Sequence, residues 1–410
     1  MPSATATRTV PPTATTKIRR SKVKLHRLPE NNLYREARDM SLVSFLIYVW
    51  SKIVYVLKDE IPSEKRNGGW SPKDVKQFIE KHKSKLVKEY PSGEFTEGSI
   101  TYQALDVLMK RSPNRELALL TWDSDFQTKE LVFGVCRDDM NQRITVVFRG
   151  TESSMAFKSN WDANLDIGKS SEKLPEILKG KLPNGGKKVW IHSGFHEYMN
   201  KATEDPTDHV ERTKKDQVLS AVKDALRENP KYRVYVTGHS LGAALATLTS
   251  YYLATDVDDF AKTGRRSMIP KPITCINFAS PRIGDSNFLD AVQVLERSGM
   301  LRICRFVNEK DLVCVLPTFN YKHVGFMVKM HRNDKKKITV CYPKFHESWG
   351  RWWNRALAMS WPAALNLTYD HSSGEYGRRV EIHKKELEKK FLSKMYSDET
   401  RTGFFKKGSL

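Results

Sequence analysis

VYVTGHSLGAAL, residues 234–245, sets a histidine and a serine between two glycines just where a run of β-branched residues stops. Val234, Tyr235, Val236 and Thr237 read as a short buried strand, because β-branched and aromatic side chains suit a pleated surface. Leu241, Ala244, Leu245 and Leu248 then recur at helical spacing. A chain that passes from strand to helix within two residues needs a strained backbone there. Gly238 and Gly242 relieve the crowding, since they carry no Cβ to strike the neighbouring strand and helix. Ser240 is then pushed into the open at the apex, above a helix N-terminus. This is the sequence form of a nucleophile elbow. G-x-S-x-G alone is short and arises by chance, so the strand–turn–helix context is what gives it weight.

Outward from the elbow, strands and helices alternate. ELALLTW (116–122), KELVFGVCRD (129–138) and RITVVFRGT (143–151) are strand candidates, the last two joined by a turn at 138–142. Val218, Leu219, Val222, Ala225 and Leu226 make an amphipathic helical stripe within 212–228 that leads into the elbow strand. Beyond the elbow helix come a strand at ITCINFA (273–279), a helix near 286–298 and a strand at RICRFVN (302–308). The alternation predicts an α/β fold with a mostly parallel central sheet flanked by helices. Further upstream, Ser71 and Pro72 are start signals for a helix over 72–89. No internal repeat is apparent. One catalytic domain over 36–383 is expected, with a basic tail at 1–35 and a basic C-terminal extension at 384–410.

The chain has 410 residues, 39% of them hydrophobic, enough for a substantial core. Its 69 Lys plus Arg against 48 Asp plus Glu give a formal net charge of +21, which suggests an anionic partner. Nothing resembles a zinc knuckle, an aromatic RNA-binding strand motif or a basic zipper, so no nucleic acid is expected. The five cysteines, Cys136, Cys275, Cys304, Cys314 and Cys341, fit neither a disulfide framework nor metal-ligand spacing. They read as reduced thiols of an intracellular protein. The first 29 residues hold no acidic residue and no apolar h-region, which argues against a secretory signal. Their composition fits an organelle transit peptide and a disordered basic tail equally. SLVSFLIYVWSKIVYVL, residues 41–57, is short for a bilayer span and interrupted by Lys52, and reads as a buried or interfacial helix.

A serine hydroxyl needs a base, usually a histidine oriented by a carboxylate, and in this fold class the order is Ser, Asp, His. Asp311 in NEKDLVCVLP follows a strand end and precedes an apolar run, with Glu309 and Asp285 as rivals. His371, in the polar loop YDHSSGEYG, is one candidate base, and His323 in YKHVG is its serious competitor. His331 and His346 lie in charged stretches and read as surface residues, and His383 is the remaining downstream histidine. An oxyanion hole needs two N–H groups. Leu241 supplies one by following the serine, and Thr151, after the turn at Gly150 in VVFRGTESS, is placed to supply the other.

These motifs together resemble the class 3 lipase family, the fungal-lipase-like branch of the α/β-hydrolases. The likeness rests on FRGT followed by NWDANLD, IHSGF, GHSLGAALATL, ASPRIGD, RFVNEKDLVCVLP, YKHVG and DHSSGEY, in order over roughly 100–383. The resemblance implies Ser240 as nucleophile, Asp311 as acid and His371 rather than His323 as base. It also implies an oxyanion hole of Thr151 and Leu241, and a lid near 152–168. No cofactor and no metal are implied. The implied reaction is hydrolysis of acyl esters in glycerolipids at a lipid interface, of triacylglycerol-lipase type, with phospholipase A1 or galactolipase action as alternatives. A catalytically silent scaffold is the reading of another class. Two features depart from compact family members. The stretch from His331 to Tyr369 is longer and adds Lys335, Lys336, Lys337, Trp349, Trp352, Trp353 and Trp361, and both termini are basic. Tryptophan beside Arg351 and Arg355 suits a membrane–water interface and suits a cap over the site equally. An anionic membrane or lipid-droplet surface is therefore the expected peripheral partner, and a cytoplasmic or membrane-peripheral location is expected, with organelle import open and secretion excluded.

Overall fold

The computed structural model describes residues 30–65, 69–111, 117–122, 133–150, 168–204, 210–256, 268–317, 320–342 and 369–397. From Asn31 on, the chain forms one unit. Twelve strands are described: β1 (Leu117–Trp122), β2 (Phe133–Asp138), β3 (Arg143–Phe148), β4 (Lys169–Lys173), β5 (Lys188–His192), β6 (Ala202–Glu204), β7 (Glu211–Thr213), β8 (Arg233–Gly238), β9 (Ile273–Phe278), β10 (Leu301–Asn308), β11 (Phe326–Met330) and β12 (Thr339–Cys341). The helices that matter for the site are α1 (Leu33–Leu57), α2 (Pro72–Lys81), α3 (Lys214–Glu228), α4 (Leu241–Thr255), α5 (Ser286–Arg297) and α6 (Ser373–Ile382).

Eight strands form one sheet in the order β1-β2-β3-β8-β9-β10-β11-β12. The run from β3 to β11 is parallel, and β1, β2 and β12 are antiparallel at its edges. Parallel neighbours need crossovers that cover the faces, and the period of two then gives each strand two buried faces. Val234 and Val236 point into a core with α3, α4 and α5, whereas Tyr235 between them points into a second core with α1 and α6. This is the mostly parallel, helix-flanked sheet of an α/β-hydrolase fold.

The helix over 72–89 is in two pieces, Pro72–Lys81 and Lys83–Glu89, because His82 leaves the helical region at φ −112° and ψ 18°. Its start follows the sequence: Ser71 and Asp74 form a reciprocal capping box with Pro72 at the first turn.

α1 is long and apolar enough to cross a membrane by length and composition, but 56% of its most apolar window is buried inside the protein. It lies against β3, β8 and β9. Its polar residues explain the docking. Ser44, Tyr48 and Ser51, at i, i+4 and i+7, fall on one stripe, and they bond Thr237, His239 and Arg149 respectively. Nearer its start, buried Glu36 and Asp39 meet buried Arg143 of β3 at 3.5 and 2.8 Å. The basic stretch from Lys384 is also docked as far as it is described. Leu387, Leu392 and Tyr396 are buried, and the Tyr396 hydroxyl donates to Glu296 at 2.6 Å and accepts from Ile303 N–H at 2.9 Å.

Candidate active site

The elbow is built by backbone crowding. A Cβ on Gly238 would strike the carbonyl of Gly242, and one on Gly242 would strike the Phe148 carbonyl and Arg149 at the end of β3. The two glycines thus let α4 start directly against the strand ends. Between them Ser240 sits at φ 59° and ψ −127°, a conformation that costs a non-glycine residue energy and is held only by its surroundings. Its N–H donates to the Phe278 carbonyl of β9 at 3.0 Å.

Three of the predicted site residues meet. Ser240 Oγ lies 2.8 Å from His371 Nε2. His371 Nδ1 lies 3.1 and 3.0 Å from the two carboxylate oxygens of Asp311. Asp311 is buried, one turn past β10, and accepts from Val313 N–H at 3.0 Å and from the Tyr376 hydroxyl at 2.6 Å. Burial alone would raise its carboxyl. The positive field of His371, the hydrogen bond to it and the one from Tyr376 outweigh burial and hold Asp311 below its ordinary 3.8. An ionised acid, an imidazole and a hydroxyl in line can pass a proton from serine to histidine while the acid steadies the imidazolium.

The loop carrying His371 is pinned on both sides. Asn308 Nδ2 donates to the Asp370 carbonyl at 2.7 Å. The Asp370 carboxylate, wholly buried, is clamped by Arg379 and by Arg332 at 2.9 Å, and Arg379 reaches Glu375 at 2.7 Å. His239, beside the serine, is bound through Nε2 to the His371 carbonyl at 2.6 Å and through Nδ1 to the Tyr48 hydroxyl at 3.1 Å. Burial, and then the nearby positive charge of His371, push His239 down to about 3, so it is neutral near pH 7.

Leu241 opens α4, and its N–H has no intrahelical carbonyl to meet, as an oxyanion donor requires. Thr151, the lid stretch to residue 167 and the tryptophans of 349–361 lie outside the described residues. The rivals have other work. Asp285 caps α5 by accepting from Phe288 N–H at 2.9 Å. Glu309 lies 3.0 Å from His331 Nδ1, and His323 Nε2 lies 2.6 Å from the Cys314 carbonyl. His331 corrects its surface assignment: it is buried, with the buried ring of His383 against its main chain, where Nε2 lies 3.2 Å from the His331 nitrogen and 3.0 Å from its carbonyl oxygen and can serve only one of them in a given tautomer. His346 is outside the described residues. Sequence reasoning missed Tyr48, Asp370, Tyr376 and Arg379. Only Tyr48 left a usable signal, as the middle of a polar i, i+4, i+7 stripe in the most apolar segment of the chain.

No group of His, Cys, Asp and Glu suited to a metal occurs among the described residues. None of the five cysteines forms a disulfide, and four of them are buried.

Residues 145–321 match the family model of lipase (class 3). Phospholipase A1-II 3 of Oryza sativa subsp. indica is 30% identical over 197 residues, 47% of this chain and 43% of its own length. Phospholipase A1-IIgamma of Arabidopsis thaliana is 36% identical over 165 residues, 38% of this chain and 37% of its own. The lipase of Rhizomucor miehei is 28% identical over 209 residues, 50% and 47% respectively. The chain thus spans less than half the length of these curated relatives. His371 and α1 lie outside the family match, so their place beside the elbow rests on the structure alone. With the elbow near the centre of the matched residues, this part of the chain is similar to the class 3 lipase family.

Proposed function

We propose that this protein hydrolyses acyl ester bonds of glycerolipids through an acyl-enzyme on Ser240, with His371 as base and Asp311 as its acid partner. The observation that carries this is the unbroken line from Asp311 through His371 to Ser240 at hydrogen-bond distances. His371 Nε2 takes the serine proton as Oγ bonds to the ester carbonyl carbon. The resulting oxyanion is held by Leu241 N–H and by a donor from the loop after β3, assigned to Thr151. Collapse breaks the acyl–oxygen bond, and His371 returns its proton to the departing glycerol oxygen. A water then adds to the acyl-enzyme by the same route, releasing fatty acid and restoring Ser240. Asp311 stays ionised throughout and orients the ring.

The substrate is an acyl glycerolipid presented at an anionic membrane or lipid-droplet surface. The relatives' names support the lipid class, and the +21 net charge supports the surface. Thiols that form no disulfide, four of them buried, support a reducing intracellular setting, cytoplasmic or membrane-peripheral. The test is fatty-acid release from triacylglycerol emulsion, phospholipid vesicles and galactolipid vesicles, each with and without anionic phospholipid, by wild type and Ser240→Ala. Release that needs Ser240 and rises with anionic lipid supports both parts. Release indifferent to anionic lipid and salt would remove the surface, and none on any lipid would favour the scaffold reading.

A further inference from the structure

α1 is the segment whose composition suggests a membrane, and it also reaches the residue beside Ser240. Its Tyr48 hydroxyl touches two things at once. It accepts the Gly150 N–H at 3.0 Å, and it lies 3.1 Å from His239 Nδ1. Close approach at Gly150 depends on the missing side chain, because a Cβ there would overlap both the Tyr48 oxygen and the His239 carbonyl. On the far side of the ring, His239 Nε2 faces the main-chain carbonyl of His371 at 2.6 Å.

The two ends of this line set its direction. A backbone N–H only donates and a carbonyl only accepts. His239 must therefore carry its proton on Nε2 to meet the His371 carbonyl. A neutral ring then has Nδ1 as an acceptor, and the Tyr48 hydroxyl is left to donate to it. Protons run Gly150 N–H to Tyr48 oxygen, Tyr48 O–H to His239 Nδ1, and His239 Nε2–H to the His371 carbonyl. The ring centroids of His239 and His371 are 4.9 Å apart. A proton on His239 Nδ1 would set a second cation beside the imidazolium that His371 becomes during the reaction.

We infer that Tyr48 is a positioning residue for the base, acting through His239. It fixes the tautomer whose Nε2–H holds the His371 main chain, and it keeps the neighbouring ring uncharged when His371 takes the serine proton. The same hydroxyl occupies the Gly150 N–H, so a donor to the oxyanion from this loop must come from beyond Gly150. Tyr48 lies outside the residues of the family match. The inference rests on the proposed serine-hydrolase reading of the site.

The test has an activity arm and a spectroscopic arm, both on the full chain. Tyr48→Phe keeps the ring and removes the hydroxyl. With a soluble p-nitrophenyl ester, kcat should fall about tenfold, the worth of roughly one hydrogen bond, while KM stays within about twofold. Ser44→Ala is the control. It removes the Ser44–Thr237 bond of 3.0 Å one turn earlier on the same stripe, and it should lower thermal stability while leaving kcat unchanged. In wild type labelled with ¹⁵N-histidine, the resonances missing from His239→Gln should show an Nε2-protonated neutral ring at pH 7. A folded Tyr48→Phe with full kcat, or a wild-type His239 protonated on Nδ1, overturns the inference. If Tyr48→Phe does not fold, the wild-type tautomer decides alone. Wild type with no esterase activity would instead bring down the functional reading, and the tautomer would still be read.

Discussion

Ser240 and His371 stand 2.8 Å apart but are held by opposite means. Ser240 is placed by backbone: two glycines that admit no Cβ, and a left-handed φ of 59° locked between β8 and α4. His371 is placed by side chains, some remote in sequence (Asn308, Asp311, Arg332) and some from the helix that follows it (Tyr376, Arg379). Local backbone constraint is stiff and compact, so it fits in a dozen residues. Long-range polar constraint is spread over many partners, and each buried charge in it needs the others to remain satisfied. The two halves of one site should therefore break in different ways.

Four substitutions sharpen that contrast. Ser240→Ala removes the nucleophile and disturbs little else, so turnover should fall by about 10³ to 10⁶-fold while the melting temperature holds. Steady-state kinetics beside a thermal melt checks both halves of that statement. Gly242→Val should act on fold and site together, because its side chain meets the Phe148 carbonyl and the Arg149 backbone. A loss of more than about 3 kcal/mol is expected from urea unfolding, at the severe end for a single residue. Arg379→Met strips a wholly buried guanidinium from Asp370 and Glu375, both also buried. Breaking such a pair costs about 3–5 kcal/mol, and adding Asp370→Asn should recover part of it, a compensation that no glycine substitution in the elbow should show.

Tyr376→Phe should be the mildest of the four. It removes a donor from Asp311 and an acceptor from Asn308 N–H, at a cost of about 1–3 kcal/mol. Its pH signature is the sharper readout. Asp311 is depressed in the folded protein, so its contribution is complete above about pH 4 and is lost as pH falls through the folded value. Without the Tyr376 hydroxyl the folded value rises, and acid unfolding should begin at a higher pH than in wild type. Unfolding curves from pH 6 to pH 2 would show it, and coincident curves would refute it.

The same contrast explains what could be read in advance. β8, the turn at Ser240 and α4 were legible because every requirement lies within residues 234–248: β-branched strand residues, two glycines and helical apolar spacing. Asp311 was legible as a strand-end acid beside an apolar run. The choice of His371 over His323 was not open to local reading. Both sit near glycine, and what separates them is that one ring meets Ser240 while the other meets the Cys314 carbonyl. His331 read as exposed because its sequence neighbours are charged, yet burial depends on His383 and Glu309, which only the fold brings to it. α1 shows the limit of composition. Its apolar content is shared by buried and membrane helices, and only the partners of Ser44, Tyr48 and Ser51 show which surface it meets.

The most direct test of the account is the site of covalent capture. The full chain would be treated with a fluorophosphonate, digested and mapped by mass spectrometry, with and without anionic phospholipid vesicles. One stoichiometric adduct on Ser240 is expected, absent from Ser240→Ala and formed faster with vesicles. An adduct on another residue, or none from folded protein under either condition, would contradict it.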